Sequence, residues 1–123
     1  MSNMRHRHAV AKIEQAITAS NWAKARKLIR EELRQDRGNH WLLTRLSLTY
    51  YEQRQYPKSL KYVVQAIQIE PYCPLAVWDY AGTLDMLKRR KKALQVFQWL
   101  ISWGERRIAY GQCGEGKRFA RSL

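Results

Sequence analysis

The sequence predicts an all-α protein: three helix–turn–helix repeats stacked as a short right-handed α-solenoid, with a C-terminal capping segment. Three observations carry this. Chosen residues return every 34 positions: Ala25, Ser59 and Ala93; Ile29, Val63 and Phe97; Trp22, Tyr56 and Arg90; Ile13, Ser47 and Ala81. Apolar residues between them follow helical spacing. Gly and Pro together number nine in 123 residues, too few for a chain of tight β-turns. A period of this length, with small residues admitting a close approach and bulky ones filling the seam, describes stacked helix pairs.

The elements follow in order. A first helix is expected over 6–18, where Ala9-Val10-Ala11-Lys12-Ile13-Glu14 is amphipathic and too charged for a signal core. A second, over 22–36, carries Ala25 and Ile29. The third, over 40–53, places Trp41, Leu42, Leu46, Tyr50 and Tyr51 on a helical period. Arg54-Gln55-Tyr56 turns the chain, and Pro57 opens the fourth helix, 57–70, where its missing N–H costs nothing. Leu60, Val63, Val64 and Ile67 continue an apolar stripe there, with Ala66 as a small contact. Pro71 ends that helix and restrains Glu70 before it, and Pro74 starts the fifth, over 74–87. A sixth covers 90–103, with Gly104 as its stop. The remainder is too short for another pair. Ile108, Tyr110, Phe119 and Leu123 would cap the last pair, while Gly111, Gly114 and Gly116 disfavour a continuous helix. The chain therefore divides as one domain, 1–123, with repeats at about 6–39, 40–73 and 74–107 and a cap over 108–123.

At these positions the sequence resembles the tetratricopeptide repeat family. Leu46-Ser47, Tyr50, Ser59, Val63, Ala66 and Pro71 stand where that family places its large–small pair, aromatic, small residue, bulky apolar residue, Ala and terminal Pro. The third unit matches through Tyr80-Ala81, Leu84, Ala93 and Phe97, with Leu100 in place of the second small residue. The first matches through Ile13, Ala16, Ala25 and Ile29, but Lys12 and Glu32 stand where apolar or small residues are expected. The resemblance spans roughly 6–104 and implies a curved stack whose first helices line a concave ligand groove.

Composition sets limits on function. Hydrophobic residues make up 46% of the chain, enough for a folded core. The net charge of +13 attracts polyanions and acidic surfaces without naming one. Cys73 and Cys113 form neither a disulfide framework nor a metal set and read as free thiols of a reducing compartment. No apolar stretch is long enough to span a bilayer. A soluble, cytoplasmic protein with no membrane insertion is the expectation.

Projected by helical spacing onto the groove that the resemblance implies, the lining comprises Arg7, Val10, Glu14 and Ile17 from the first pair. The second pair adds Trp41, Thr44, Arg45, Leu48, Tyr51 and Glu52, and the third adds Leu75, Trp78, Asp79, Gly82, Asp85 and Met86. Trp41, Tyr51 and Trp78 are candidate anchors, since a large ring buries much area with few rotors to freeze. Packing between neighbouring pairs is the competing role for each ring. The groove's two cations and four anions give it −2 on a protein of +13, which suits a peptide with apolar anchors and some basic character. Chaperone-binding members of the family grip a terminal carboxylate with Lys, Arg and Asn. The matching places here hold Val10, Glu14, Arg45, Leu75 and Asp79, so that clamp is not expected.

Positive charge gathers elsewhere. Lys88, Arg89, Arg90, Lys91 and Lys92 form the turn of the third pair, with Lys24, Arg54 and Lys58 at or near the equivalent turns. Lys27, Arg30 and Arg34 add a second-helix face. This edge is either a solvated border or a strip for nucleic acid, ribosome or an acidic partner, and any nucleic-acid contact would be to phosphate and salt-sensitive.

Catalytic and cofactor motifs are weak. Residues 111–117 fit the front of a phosphate-binding loop, but Arg118 replaces the magnesium-holding Ser/Thr, no strand precedes it and the chain ends six residues after Lys117. Lys117, Arg118 and Arg121 beside that Gly-rich backbone would hold an anion at most. His6 and His8, near a frayed terminus, lack a third ligand; His40 suits a helix cap or packing. Neither cysteine has a His close in sequence, and Asp79 and Asp85 share no helix face. The expectation is a non-enzymatic adaptor, without cofactor or metal, that binds a peptide or helix of another protein. The alternatives are an RNA- or ribosome-contacting basic adaptor and a self-associating homo-oligomeric scaffold.

Overall fold

The computed structural model describes residues 2–106, and the segment assigned to a cap, with Cys113 and the 111–117 loop, lies outside them. Six helices follow one another: α1 (Ser2–Thr18), α2 (Trp22–Gln35), α3 (His40–Glu52), α4 (Tyr56–Ile69), α5 (Pro74–Met86) and α6 (Arg90–Arg106). They pack as three pairs, α1 with α2, α3 with α4 and α5 with α6. The pairs join through α2 against α3 and α4 against α5, and the first helices α3 and α5 also touch. The repeat reading of the sequence is thereby met.

The 34-residue period is visible in the backbone itself. Ser20, Arg54 and Lys88, one in each intra-pair turn, have φ of 55°, 61° and 64°. Each marks the same helix ending. Asn21, Gln55 and Arg89 donate their N–H to the carbonyls of Ala16, Tyr50 and Leu84, at 2.8, 2.9 and 2.9 Å. Ser20, Arg54 and Lys88 donate to Ile17, Tyr51 and Asp85, each at 2.9 Å. This pair of bonds closes a helix through one left-handed residue and satisfies carbonyls that would otherwise face nothing. Helix starts are less uniform: Asn21 and Asn39 accept from the Lys24 and Leu42 N–H groups, while Pro57 and Pro74 serve the first turns of α4 and α5.

The core lies in two clusters. Ile13, Ile29, Leu42, Leu46 and Tyr50 form the first, between the first and second pairs. Leu43, Val63, Ile67, Val77, Tyr80, Leu84 and Val96 lead the second, with Ala66, Ala76, Ala81 and Ala93 at the close approaches. Leu33 and Tyr62 pack against both and join them. In the sixth helix the fully buried residue is Val96. Phe97, expected there from the period, is half-buried and turns its ring toward Trp78.

Two expectations are corrected. Gly104 does not stop the last helix, which continues to Arg106. Glycine costs about 1 kcal/mol inside a helix, and the preceding turns are held by Tyr72 against Trp99 (5.9 Å) and Trp99 against Trp103 (4.6 Å). The first helix begins at Ser2 rather than at 6. Its opening turns are tied down by Arg5, which donates to Glu32 Oε1 at 3.2 Å and Gln35 Oε1 at 2.6 Å. Glu32, out of pattern for the repeat, thus has a partner, and Lys12 is simply exposed. Of the two roles offered for His40, the cap of α3 falls to Asn39, and His40 is half-buried beside it.

Candidate peptide groove

Along one face the first helices bring the expected residues to three different positions. Between α3 and α5 lies a cleft of about 110 Å³ lined by Ser47, Leu48, Tyr51, Ser59, Trp78, Asp79, Gly82 and Thr83. Five of the expected lining residues, Leu48, Tyr51, Trp78, Asp79 and Gly82, meet here. Trp78 is 58% exposed, a large value for an indole, and Leu75 and Met86 on the same helix are exposed as well. It stands edge-on to Phe97 at 5.2 Å, and Tyr51 stands edge-on to Tyr56 at 5.4 Å. Each wall of the cleft is therefore a ring held by a second ring, at a separation typical of favourable aromatic pairs.

The floor is a chain of buried hydroxyls. Ser47 donates to the Ser59 carbonyl at 2.8 Å and lies 2.9 Å from the Ser59 hydroxyl. Ser59 Oγ is 3.3 Å from Thr83 Oγ1, which donates to the Asp79 carbonyl at 2.8 Å. The sequence marked Ser47 and Ser59 as small residues at a helix approach. Their polar role, and that of Thr83, went unread because hydroxyl chains leave no periodic signal. Gly82 completes the cleft: a methyl group added there would meet nothing within 4 Å.

Asp79 dominates the electrostatics. Burial lifts its carboxyl from an ordinary 3.8 to about 6, against a smaller lowering from Arg45. No cation among the described residues lies within 4.0 Å of it. Tyr51 reports the same negative field, its phenol pushed up by burial and then by Tyr56, Glu52, Asp79 and Asp85. Glu52 and Asp85 are exposed at the rim.

The second position is one step along the face, where Glu14, Trp41 and Arg45 gather. Arg45 Nε lies 3.1 Å from Glu14 Oε1, and its guanidinium sits 5.5 Å from the Trp41 ring centroid. The two charged atoms are not aligned as a hydrogen bond despite their proximity, so the contact is one of charge. Trp41 is half-buried and packs on the first core cluster. The third position is no longer a surface: Thr44 is 1% exposed and donates to the His40 carbonyl at 2.8 Å. Its place in the groove lining is withdrawn, because the α3 helix turns it inward toward the core.

In the turn between α5 and α6, Lys88, Arg89, Arg90 and Lys91 are exposed, whereas Lys92 is half-buried. Arg90 Nε reaches Asp85 Oδ1 at 3.9 Å, with both side chains mostly exposed. Among the described residues no three His, Cys, Asp or Glu side chains are grouped to hold a metal, and no helix is long and apolar enough to cross a membrane.

The architecture is that of a tetratricopeptide repeat domain. The chain superimposes on the TPR2B domain of yeast Sti1, from its structure as a pHsp70 complex, with a TM-score of 0.74. The match covers 97% of this chain and 98% of that one at 15% sequence identity. At that identity the likeness is one of fold. No family model matches the sequence, and no curated protein matches it.

Proposed function

We propose that this chain is a non-enzymatic protein-interaction module that holds an extended or helical segment of a partner along its row of first helices. Trp78 and Tyr51 anchor the segment, Trp41 supports it from its half-buried place, and Arg45, Glu52 and Asp79 set its register. The observation that carries the reading is the cleft between α3 and α5, whose walls are two rings braced from behind and whose indole remains 58% exposed. A ring fixed before binding loses little freedom on contact, which is the property of an interface anchor. The solved neighbour is itself a domain in complex with pHsp70, in keeping with a protein partner. The test is selection of peptides from a random display library on the purified chain. Enriched sequences should lose binding to a folded Trp41→Ala, Trp78→Ala double variant; equal binding to that variant removes the reading.

A second reading rests on a separate observation. The first turn of α6 carries no acidic residue and instead holds Arg90 and Lys91, cations at the end of a helix whose dipole disfavours them. An anionic surface, RNA or ribosome, would offset that cost. Binding to RNA that does not weaken steeply with added salt would argue against it.

A further inference from the structure

We infer that the cleft between Tyr51, Trp78 and Asp79 receives a basic side chain, lysine or arginine, from the bound segment. The inference deepens the groove reading and rests on it. It starts from a charge without a partner. The chain has 23 Lys and Arg, yet no described one lies within 4.0 Å of Asp79. Arg45 is the cation whose field reaches that carboxyl, but it is engaged by Glu14 at 3.1 Å and lies over Trp41. A carboxylate drawn out of water with no counter-charge is costly, and a cation delivered by a ligand relieves the cost.

The rest of the cleft fits that occupant. Its walls carry two aromatic rings, and an ammonium or guanidinium that sits over the face of such a ring is attracted by its quadrupole. The floor hydroxyls of Ser47, Ser59 and Thr83 already bond to one another and to main-chain carbonyls, so they leave the Asp79 carboxylate to a donor from outside. Gly82 lines the cleft without filling it. The charged groups nearby on the packed elements are Arg45 and Glu52 from α3 and Asp85 from α5, with Arg90 of α6 taken up by Asp85. An acidic side chain would meet a negative field there, and a purely apolar one would bury the carboxylate further without pairing it.

The test is an NMR titration of the isotope-labelled full chain with four blocked tripeptides, Ac-Ala-X-Ala-NH2, where X is Lys, Arg, norleucine or Glu. The Lys and Arg probes should shift the amides of Asp79 and Gly82 and the Trp78 indole, and norleucine and Glu should not. Comparing Lys with Arg identifies which cation fits. Asp79→Asn should weaken the Lys probe at least about tenfold, the effect of losing one charge-assisted hydrogen bond. Gly82→Leu should fill the cleft while keeping α5, since leucine is the better helix former and its β-carbon would meet nothing within 4 Å. Norleucine binding as tightly as Lys, an unchanged response in Asp79→Asn, or shifts confined to other parts of the chain would each overturn the inference. The groove reading fails separately: display-selected peptides that bind through Trp78 yet carry no basic residue would leave the groove standing and remove the cation site. A Lys probe seated in the cleft with no selectable peptide would do the reverse.

Discussion

Arg45 Nε lies 3.1 Å from Glu14 Oε1, and this pairing withholds from Asp79 the cation that, among the described residues, exerts a field on it. Of the groove's acids, Glu14 is thus paired within the protein, while Asp79 has no described cation within 4.0 Å. Because Arg45 still lowers the Asp79 pKa from its distance, Arg45→Gln should move that carboxyl further above about 6. A carbon-detected NMR titration of the carboxyl reads this directly. An unchanged midpoint would mean that Arg45 exerts no field at the cleft.

Asp79 also makes a stability prediction with a definite sign. Its folded pKa, about 6, is raised above the ordinary 3.8, so the fold favours the protonated form. The resulting stabilisation is fully present below about pH 4 and is lost as pH rises through 6. At neutral pH the charged form therefore costs on the order of 2 kcal/mol, after allowance for partial solvent screening. Asp79→Asn should be more stable than the parent by about 1–2 kcal/mol at pH 7.5, and the gap should close toward pH 4. Urea melts at three pH values check it; a difference independent of pH would contradict it.

The three left-handed turn residues give a prediction repeated by the fold. Ser20, Arg54 and Lys88 each carry a side chain at a φ that favours glycine. Ser20→Gly, Arg54→Gly and Lys88→Gly should each stabilise the chain by roughly 0.5–1 kcal/mol. Their effects should add, since the turns are separate. Thermal denaturation of the singles and the triple tests this, and a loss of stability in all three would count against the turn geometry.

The two indoles should separate in their costs. Trp78 is 58% exposed, so Trp78→Ala should lose less than about 1 kcal/mol of stability. Trp41 packs on the first cluster and should lose about 2 kcal/mol. Leu46→Ala, within that cluster at 1% exposure, should cost about 2–5 kcal/mol. Denaturant titration orders the three, and a Trp78 cost as large as that of Leu46 would make its ring core rather than contact.

Much of this fold is legible in the sequence because it repeats. A 34-residue step placed Ile13, Ala25, Ile29, Val63, Ala81 and Ala93 in the core, and each is buried. Helical spacing within α3 and within α5, projected onto the groove that the resemblance implies, likewise pointed Leu48, Tyr51, Trp78, Asp79 and Gly82 to a shared face, and they meet in one cleft. What escaped depends on neighbours from other helices. The inward turn of Thr44, the hydroxyl chain through Ser59 and Thr83, and the pairing of Arg45 with Glu14 are set by cross-helix distances. The left-handed turns escaped for another reason: Ser, Arg and Lys occupy them, so no glycine flags the position. Gly104 misled in the opposite direction, since packing by Trp99 and Trp103 outweighed its weak helix propensity.

The central claim is that the face built by α3 and α5 binds a protein segment, and one measurement addresses it most directly. Peptides selected from a random display library on the chain would be titrated against three folded proteins: the parent, the Trp41→Ala, Trp78→Ala variant, and a variant with Lys88, Arg89, Arg90, Lys91 and Lys92 reversed in charge. The account predicts binding to the parent, at least about tenfold weaker binding to the indole variant, as loss of an anchor residue requires, and little change on charge reversal. Binding that survives loss of both indoles but vanishes on charge reversal would contradict it and move the function to the basic edge.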